Sequence, residues 1–201
     1  MTSTLATRVT LDYYNFNSLL SRNGVYNFLV GARGLGKTYG AKNYAIKQYL
    51  KNGSQFIYLR RYDTELKTAK TTLFNDIKEQ FPKYQFRSHG NELHIRKRTP
   101  DDSEKWALLG YALALSKAQQ LKSVSFHEVK LILYDEFIIE RGNIRYLRDE
   151  AKVFNDFYST VDRYKDKTRV VFMANSISIM NPFFLDSKVF LWYYFMKGNH
   201  P

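Results

Sequence analysis

The sequence predicts an α/β fold, a mainly parallel central sheet flanked by helices and carrying a β-rich insertion. Three observations support this. VYNFLV, QFIYLR, LILY and RVVFMA are short, near-continuous apolar runs, the pattern of strands covered on both faces rather than half solvated. Amphipathic stretches of helical period separate them, the alternation of parallel-sheet folds. A glycine-rich loop, VGARGLGKTYG at 30–40, joins the first run to the first helical stretch.

The elements follow in order. VYNFLV (25–30) reads as a short buried strand running into the glycine loop. Lys37 to about Lys51 reads as a helix closed by Asn52-Gly53, a common helix stop. QFIYLR (55–60) is a second strand, and Thr64 to Gln80 has a polar helical pattern ending before Pro82. In 84–115, YQFRS, ELHIRKR and WALLGYALAL are strand-like and separated by HGN and TPDDSE, which reads as a β-rich insertion before the next core strand. KLILYDE (130–136) is an apolar strand ending in two carboxylates. Asp149 to Tyr164 is an amphipathic helix, TRVVFMAN (168–175) a buried strand, and KVFLWYYF (188–195) a further one.

At 201 residues the chain suits one domain, and 44% hydrophobic with 16% aromatic content is too apolar for disorder. A net charge of +12 points to a polyanionic partner, nucleic acid before an anionic membrane surface. With no cysteine there is no disulfide or zinc-thiolate site, and the four histidines lack ligand spacing. The first residues lack a signal-peptide core, and VFLWYYFM is too short to span a bilayer. A soluble intracellular protein is expected, with no membrane partner.

Gly31, Ala32, Arg33, Gly34, Leu35, Gly36, Lys37 and Thr38 complete G-x-x-x-x-G-K-[ST] between a strand and a helix. Glycines let backbone N–H groups wrap phosphate oxygens, and the helix N-terminus adds its positive end. In this motif Lys37 reaches the β- and γ-phosphates and Thr38 ligates Mg²⁺. LILYDE places Asp135 where such a site holds Mg²⁺, and Glu136 where a base polarises water. An adjacent Asp-Glu pair favours a nucleotide-consuming hydrolase, and the absence of N-K-x-D favours ATP over GTP. Asn175, closing TRVVFMAN, either senses the γ-phosphate or forms a turn before Ser176.

On a wheel of about 100° per residue, Val153, Phe154, Phe157, Tyr158 and Val161 form one stripe, and Arg163 lies almost opposite. Arg163 is either a finger completing a neighbouring subunit's site or a solvated arginine paired with Asp162 or Asp166. Arg60-Arg61 closes the second strand and could serve the phosphates or an interface. Lys117 and Lys122 flank AQQ and could face a neighbouring site. Arg96, Lys97 and Arg98 could line a DNA path, since phosphate contacts need only positive charge. Tyr13, Tyr14 and Phe16 could stack on adenine, with core packing the simpler reading.

With these residues placed, the chain resembles the genome-packaging motor ATPases of small short-tailed (podovirus-type) bacteriophages. The likeness rests on VGARGLGKTYGAK, IYLRRYDTEL, LILYDEFIIERGNIRYL and VVFMANSISIMNPFF, in that order, across most of residues 20–185. It implies an ASCE, RecA-like P-loop ATPase related to the FtsK/HerA and terminase branches. It further implies homomeric rings, typically pentamers, at the capsid portal (connector) in the host cytoplasm, pumping double-stranded DNA inward with ATP. A structural RNA is a further partner it implies. Carried over, it puts the phosphate loop on Gly31 to Thr38, Mg²⁺ on Thr38 and Asp135, and catalysis on Glu136. It favours Arg163 as the finger supplied in trans and Lys122 as an interface residue. Arg33 resembles the extra basic residue of terminase-type loops. The family continues into an RNase H-like, nuclease-derived domain that residues 1–201 do not contain, so they read as the ATPase domain alone. A helicase or AAA+-like remodeller shares this site chemistry, and a nucleotide-dependent binding module without turnover is the reading from a different class. A small-molecule kinase would leave the charge unexplained.

Overall fold

The structure, a computed structural model, describes residues 14–139, 144–175 and 181–183. A short helix α1 (Phe16–Leu20), capped by the Asn15 side chain, precedes strand β1 (Tyr26–Gly31). Helix α2 (Lys37–Asn52) stops at Gly53, whose φ of 76° a residue with a side chain rarely adopts. Strand β2 (Gln55–Arg60) and helix α3 (Asp63–Thr72) come next. Then follow β3 (Tyr84–His89), β4 (Glu92–Lys97) and β5 (Ala107–Ala114). A 3-10 turn (Lys78–Gln80) precedes β3, and a 3-10 segment (Leu115–Leu121), strand β6 (Val129–Asp135), helix α4 (Glu150–Asp162) and strand β7 (Arg169–Asn175) complete the described elements.

Among the described residues the seven strands form one sheet, ordered β1-β7-β6-β2-β5-β4-β3. From β1 to β5 every pairing is parallel, whereas β5–β4 and β4–β3 are antiparallel. The sheet is therefore mixed, and the stretch read as an insertion is part of it. β5 is itself a core strand beside β2, and only the β3–β4 hairpin extends past it. The approach of β5 to β2 is so close that a Cβ on Gly110 would lie 2.1 Å from the Phe56 carbonyl oxygen.

Alternate strand residues face opposite sides. Phe56, Tyr58, Leu131, Leu133, Val171 and Met173 pack with Ala41, Ala45 and Ile46 of α2. Ile57, Leu59, Ile132, Tyr134, Val170 and Phe172 pack with Phe154, Phe157 and Val161 of α4. The expected α4 stripe is thus the core face, with Val153 and Tyr158 at its margin. Tyr14 and Phe16 belong to the α2-side core, not to a base-stacking surface.

α3 ends at Thr72, short of the expected Gln80. Leu73 and Ile77 are buried, and the Lys42 ammonium donates to the Leu73 carbonyl (2.8 Å) and to Asp76. In place of a continued helical ladder the backbone makes i→i+3 turns, Asn75 N–H to Thr72, Ile77 N–H to Phe74 and Gln80 N–H to Ile77. The strand expected at 188–195 and Tyr13 lie outside the described residues. Among the described residues no helix is long and apolar enough to cross a membrane.

Candidate active site

The glycine loop lies where β1 meets α2. Gly34 and Gly36 take φ of 79° and 68°, left-handed values that leave the Gly36 carbonyl to receive the Gly40 N–H at 2.7 Å. α2 therefore begins at Lys37, directly after the loop. The Lys37 ammonium donates to the carbonyls of Gly31 (2.8 Å) and Ala32 (2.7 Å) and to Asn175 Oδ1 (3.2 Å). Asn175 reaches it because β7 lies beside β1, with Gly31 in register with Asn175. Ala32 and Leu35 are at the exposed crest of the loop.

Across the cavity, the Thr38 hydroxyl lies 3.2 and 3.3 Å from the two Asp135 oxygens, and the Tyr58 hydroxyl donates to Asp135 at 2.8 Å. Burial pushes the Asp135 carboxyl up, more than the Arg60 charge and these hydrogen bonds pull it down. A hydroxyl and a buried carboxylate this close form a partial oxygen donor set for a hard divalent cation, whose other ligands would be water and substrate phosphate. Glu136 follows with φ 56°, left-handed and uncommon for a residue with a side chain. Its carboxylate pairs with Arg60, which also lies 3.6 Å from Asp135. Burial opposes the Arg60 charge, and Tyr58, Asp135 and Glu136 more than restore it.

Lys37, Thr38, Asp135, Glu136 and Asn175 thus share one cavity of about 300 Å³ with Arg33, Gly34 and Gly36. Arg163 is elsewhere. It caps the C-terminal end of α4 at φ 53°, exposed, near the start of β7, whereas the far end of β7 reaches the cavity. Among the described residues its side chain has no ion pair, since Asp162 accepts from backbone N–H groups and Asp166 pairs with Arg169. Lys122, exposed after the 3-10 segment, is not in the cavity lining. Arg96 is spoken for within the hairpin, stacked on Trp106 (4.7 Å) and bonded to Gln85 and Asp102, while Lys97 and Arg98 are exposed.

Sequence reasoning did not find Tyr58, Tyr134 or Glu150, and it left the roles of Arg60 and Arg61 open. The only signal was Arg-Arg at the end of a strand, which does not say which carboxylates it meets.

A glycine loop and helix start thus face an Asp-Glu pair across the carboxyl ends of parallel strands in an α/β domain. The fold agrees with the crystal structure of the N-terminal domain of the DNA packaging ATPase from bacteriophage phi29. The TM-score is 0.76 at 36% identity, covering 87% of this chain and 84% of that one. It also agrees with a chain of the bacteriophage phi29 viral genome packaging motor assembly, with TM-score 0.73 and 36% identity, covering 87% of this chain and 50% of that one. In sequence it is 36% identical over 173 residues to the DNA packaging protein of Bacillus phage phi29. The chain belongs to the podovirus DNA encapsidation protein (Gp16) family, whose profile matches residues 10–191. It aligns with 49% of the length of the phi29 protein.

Proposed function

We propose that this chain is an ATP-hydrolysing motor domain that drives double-stranded viral DNA into a capsid as part of a ring of identical subunits. The observation that carries the reading is the convergence of Lys37, Thr38, Asp135 and Glu136 on one cavity at the strand ends. ATP phosphates would take the N–H groups of the loop and of the α2 start. Lys37 would exchange its two carbonyl partners for phosphate oxygens while Asn175 stays within reach of its ammonium. Thr38 and Asp135 would hold Mg²⁺, which when bound neutralises charge developing on the β- and γ-phosphates. Glu136, once released from Arg60, would orient the attacking water and accept its proton.

Arg163 lies outside its own chain's cavity, which suits a residue offered to a neighbour, and Lys122 is exposed for the same use. A sequence-indifferent pump needs backbone contacts, and Lys97 and Arg98 are exposed cations suited to them. Assembly at a portal in the host cytoplasm, with a structural RNA as partner, is part of the same proposal. The test is DNA-stimulated ATP hydrolysis by wild type, Lys37→Ala and Glu136→Gln. Lys37→Ala should lose nucleotide binding, and Glu136→Gln should bind ATP but turn it over only at a small residual rate. Wild-type turnover by Glu136→Gln would overturn the assignment.

One observation favours a second reading, a nucleotide-dependent binding module. The Arg60–Glu136 pair withholds the base. Tight ATP binding with no hydrolysis in the assembled, DNA-bound protein would decide for it.

A further inference from the structure

Arg61 leaves only 2% of its surface exposed, too little for a residue that meets phosphate or a partner. Its Nε donates to Glu150 Oε2 at 2.7 Å, and its terminal nitrogens donate to the carbonyls of Phe137 (2.6 Å) and Glu136 (3.2 Å). The guanidinium lies over the Tyr146 ring at 4.9 Å. Glu150, fully buried at the first position of α4, also accepts from the Tyr134 hydroxyl (2.7 Å) and the Leu147 N–H (2.8 Å). From the other side, the Phe137 N–H donates to the Met173 carbonyl at 3.2 Å.

We propose that Arg61 is a positioning residue for hydrolysis, clasping the Glu136–Phe137 backbone against the start of α4 so that the seat of α4 sets the aim of the Glu136 carboxylate. The inference rests on reading Glu136 as the base. A left-handed residue with a side chain keeps that conformation only where its surroundings over-determine it. Here the two peptide carbonyls on either side of the turn are gripped by one guanidinium, which is anchored on a helix. A planar fork with several donors can hold three acceptors at once, and a lysine ammonium on a different stem cannot reproduce that geometry. Because Glu150 opens α4 and Arg163 closes it, displacement of α4 by a neighbouring subunit would reach Glu136 through Arg61.

The test compares Arg61→Lys and Glu150→Gln with wild type, each also in a Glu136→Gln background. Nucleotide affinity, thermal midpoint and single-turnover hydrolysis of ATP are measured. We expect either single substitution to lower the hydrolysis rate about 10²-fold, the cost of a reacting group misplaced by about 1 Å. Nucleotide affinity should stay within about two-fold, which is well under 1 kcal/mol. In the Glu136→Gln background the same substitution should lower the residual rate no further, because its effect runs through Glu136. An equal loss in both backgrounds, or an unchanged rate beside weakened binding, overturns the proposal. Wild-type turnover by Glu136→Gln alone would instead overturn the reading beneath it. Should Arg61→Lys not fold, Glu150→Gln, which keeps size and one acceptor oxygen, decides by the same comparison.

Discussion

Asp162 fixes the turn that presents Arg163, and its removal should cost a measurable and pH-dependent part of the stability. Its carboxylate accepts the backbone N–H groups of Asp166, Lys167 and Thr168, each at 2.9 Å. Between them the chain makes three left-handed residues, Arg163, Tyr164 and Asp166, with φ of 53°, 57° and 47°. In Asp162→Ala, water can replace the acceptor for Asp166 and Lys167, which are exposed and half-buried, but Thr168 is fully buried and its N–H would be stranded. One stranded buried donor costs about 1–3 kcal/mol, and bonds to a charged acceptor add more than neutral ones, so a loss of about 2–4 kcal/mol is expected. In a domain of this size that is a fall of roughly 4–16 °C in melting temperature. Asp162→Asn keeps one oxygen for Lys167 and Thr168 and should lose only about 1 kcal/mol. The pH dependence has a definite sign. Burial pushes the Asp162 carboxyl up, but the three N–H bonds outweigh it and leave the carboxyl below its ordinary value. A depressed folded value stabilises the fold fully above the unfolded value of about 3.9 and loses that contribution as pH falls through the folded one. Urea unfolding of wild type and Asp162→Asn should therefore show a gap at pH 7 that closes below about pH 4. An Asp162→Ala midpoint equal to wild type, or a gap that persists into acid, would refute the reasoning.

Three further outcomes follow from particular contacts. Gly110→Ala forces a Cβ to within 2.1 Å of the Phe56 carbonyl oxygen, so β2 and β5 must separate at a cost of about 3 kcal/mol or more, read as a lowered urea midpoint or loss of soluble yield. Arg163→Ala should bind ATP normally yet lose about 10³-fold or more in assembled-state hydrolysis. Mixing it with Lys37→Ala should restore activity, because one chain then brings the intact cavity and the other the arginine; no restoration speaks against action in trans. Lys97→Ala and Arg98→Ala should each lower the slope of log affinity for duplex DNA against log salt by about 0.9 for a lost phosphate contact. An unchanged slope would remove the hairpin from the DNA path.

Elements whose signal is local were legible in the sequence. β1, α2, β2, β6 and β7 fall within about a residue of the reading, because each is an apolar run or a periodic stretch bounded by its own stop, such as Asn52-Gly53. The loop and the Asp135-Glu136 pair were legible because both occur as short motifs at fixed places relative to those strands. What was not legible depends on partners distant in the chain. Nothing in WALLGYALAL says that it pairs parallel with QFIYLR, 54 residues away by the Phe56–Gly110 register. α3 gives way after Thr72 to turns of i→i+3 bonds, where a lysine on α2 meets the Leu73 carbonyl. Arg96 had the same charge as Lys97, and only its contacts with Trp106, Gln85 and Asp102 remove it from the surface.

Arg60 and Arg61 show the same limit within a single dipeptide. Consecutive residues at a strand end point to opposite faces of the sheet. Arg60 follows Tyr58 to the α2 side, where Asp135 and the Glu136 carboxylate lie. Arg61 follows Leu59 to the α4 side, where Glu150 and the Tyr134 ring lie. The two arginines thus hold one residue from two faces, Arg60 by its carboxylate and Arg61 by its peptide. They do not hold it equally. The Glu136 carboxylate is 52% exposed and can trade Arg60 for water at little cost. Neither Arg61 nor Glu150 can reach water, and separating them would leave both charges stranded in the core. With α4 in place, freeing the Glu136 carboxylate for chemistry therefore begins at Arg60 and turns the side chain on a backbone that Arg61 holds against α4. The sequence places both arginines beside the site, but the alternation of the strand makes one a partner that can be released and the other part of the frame.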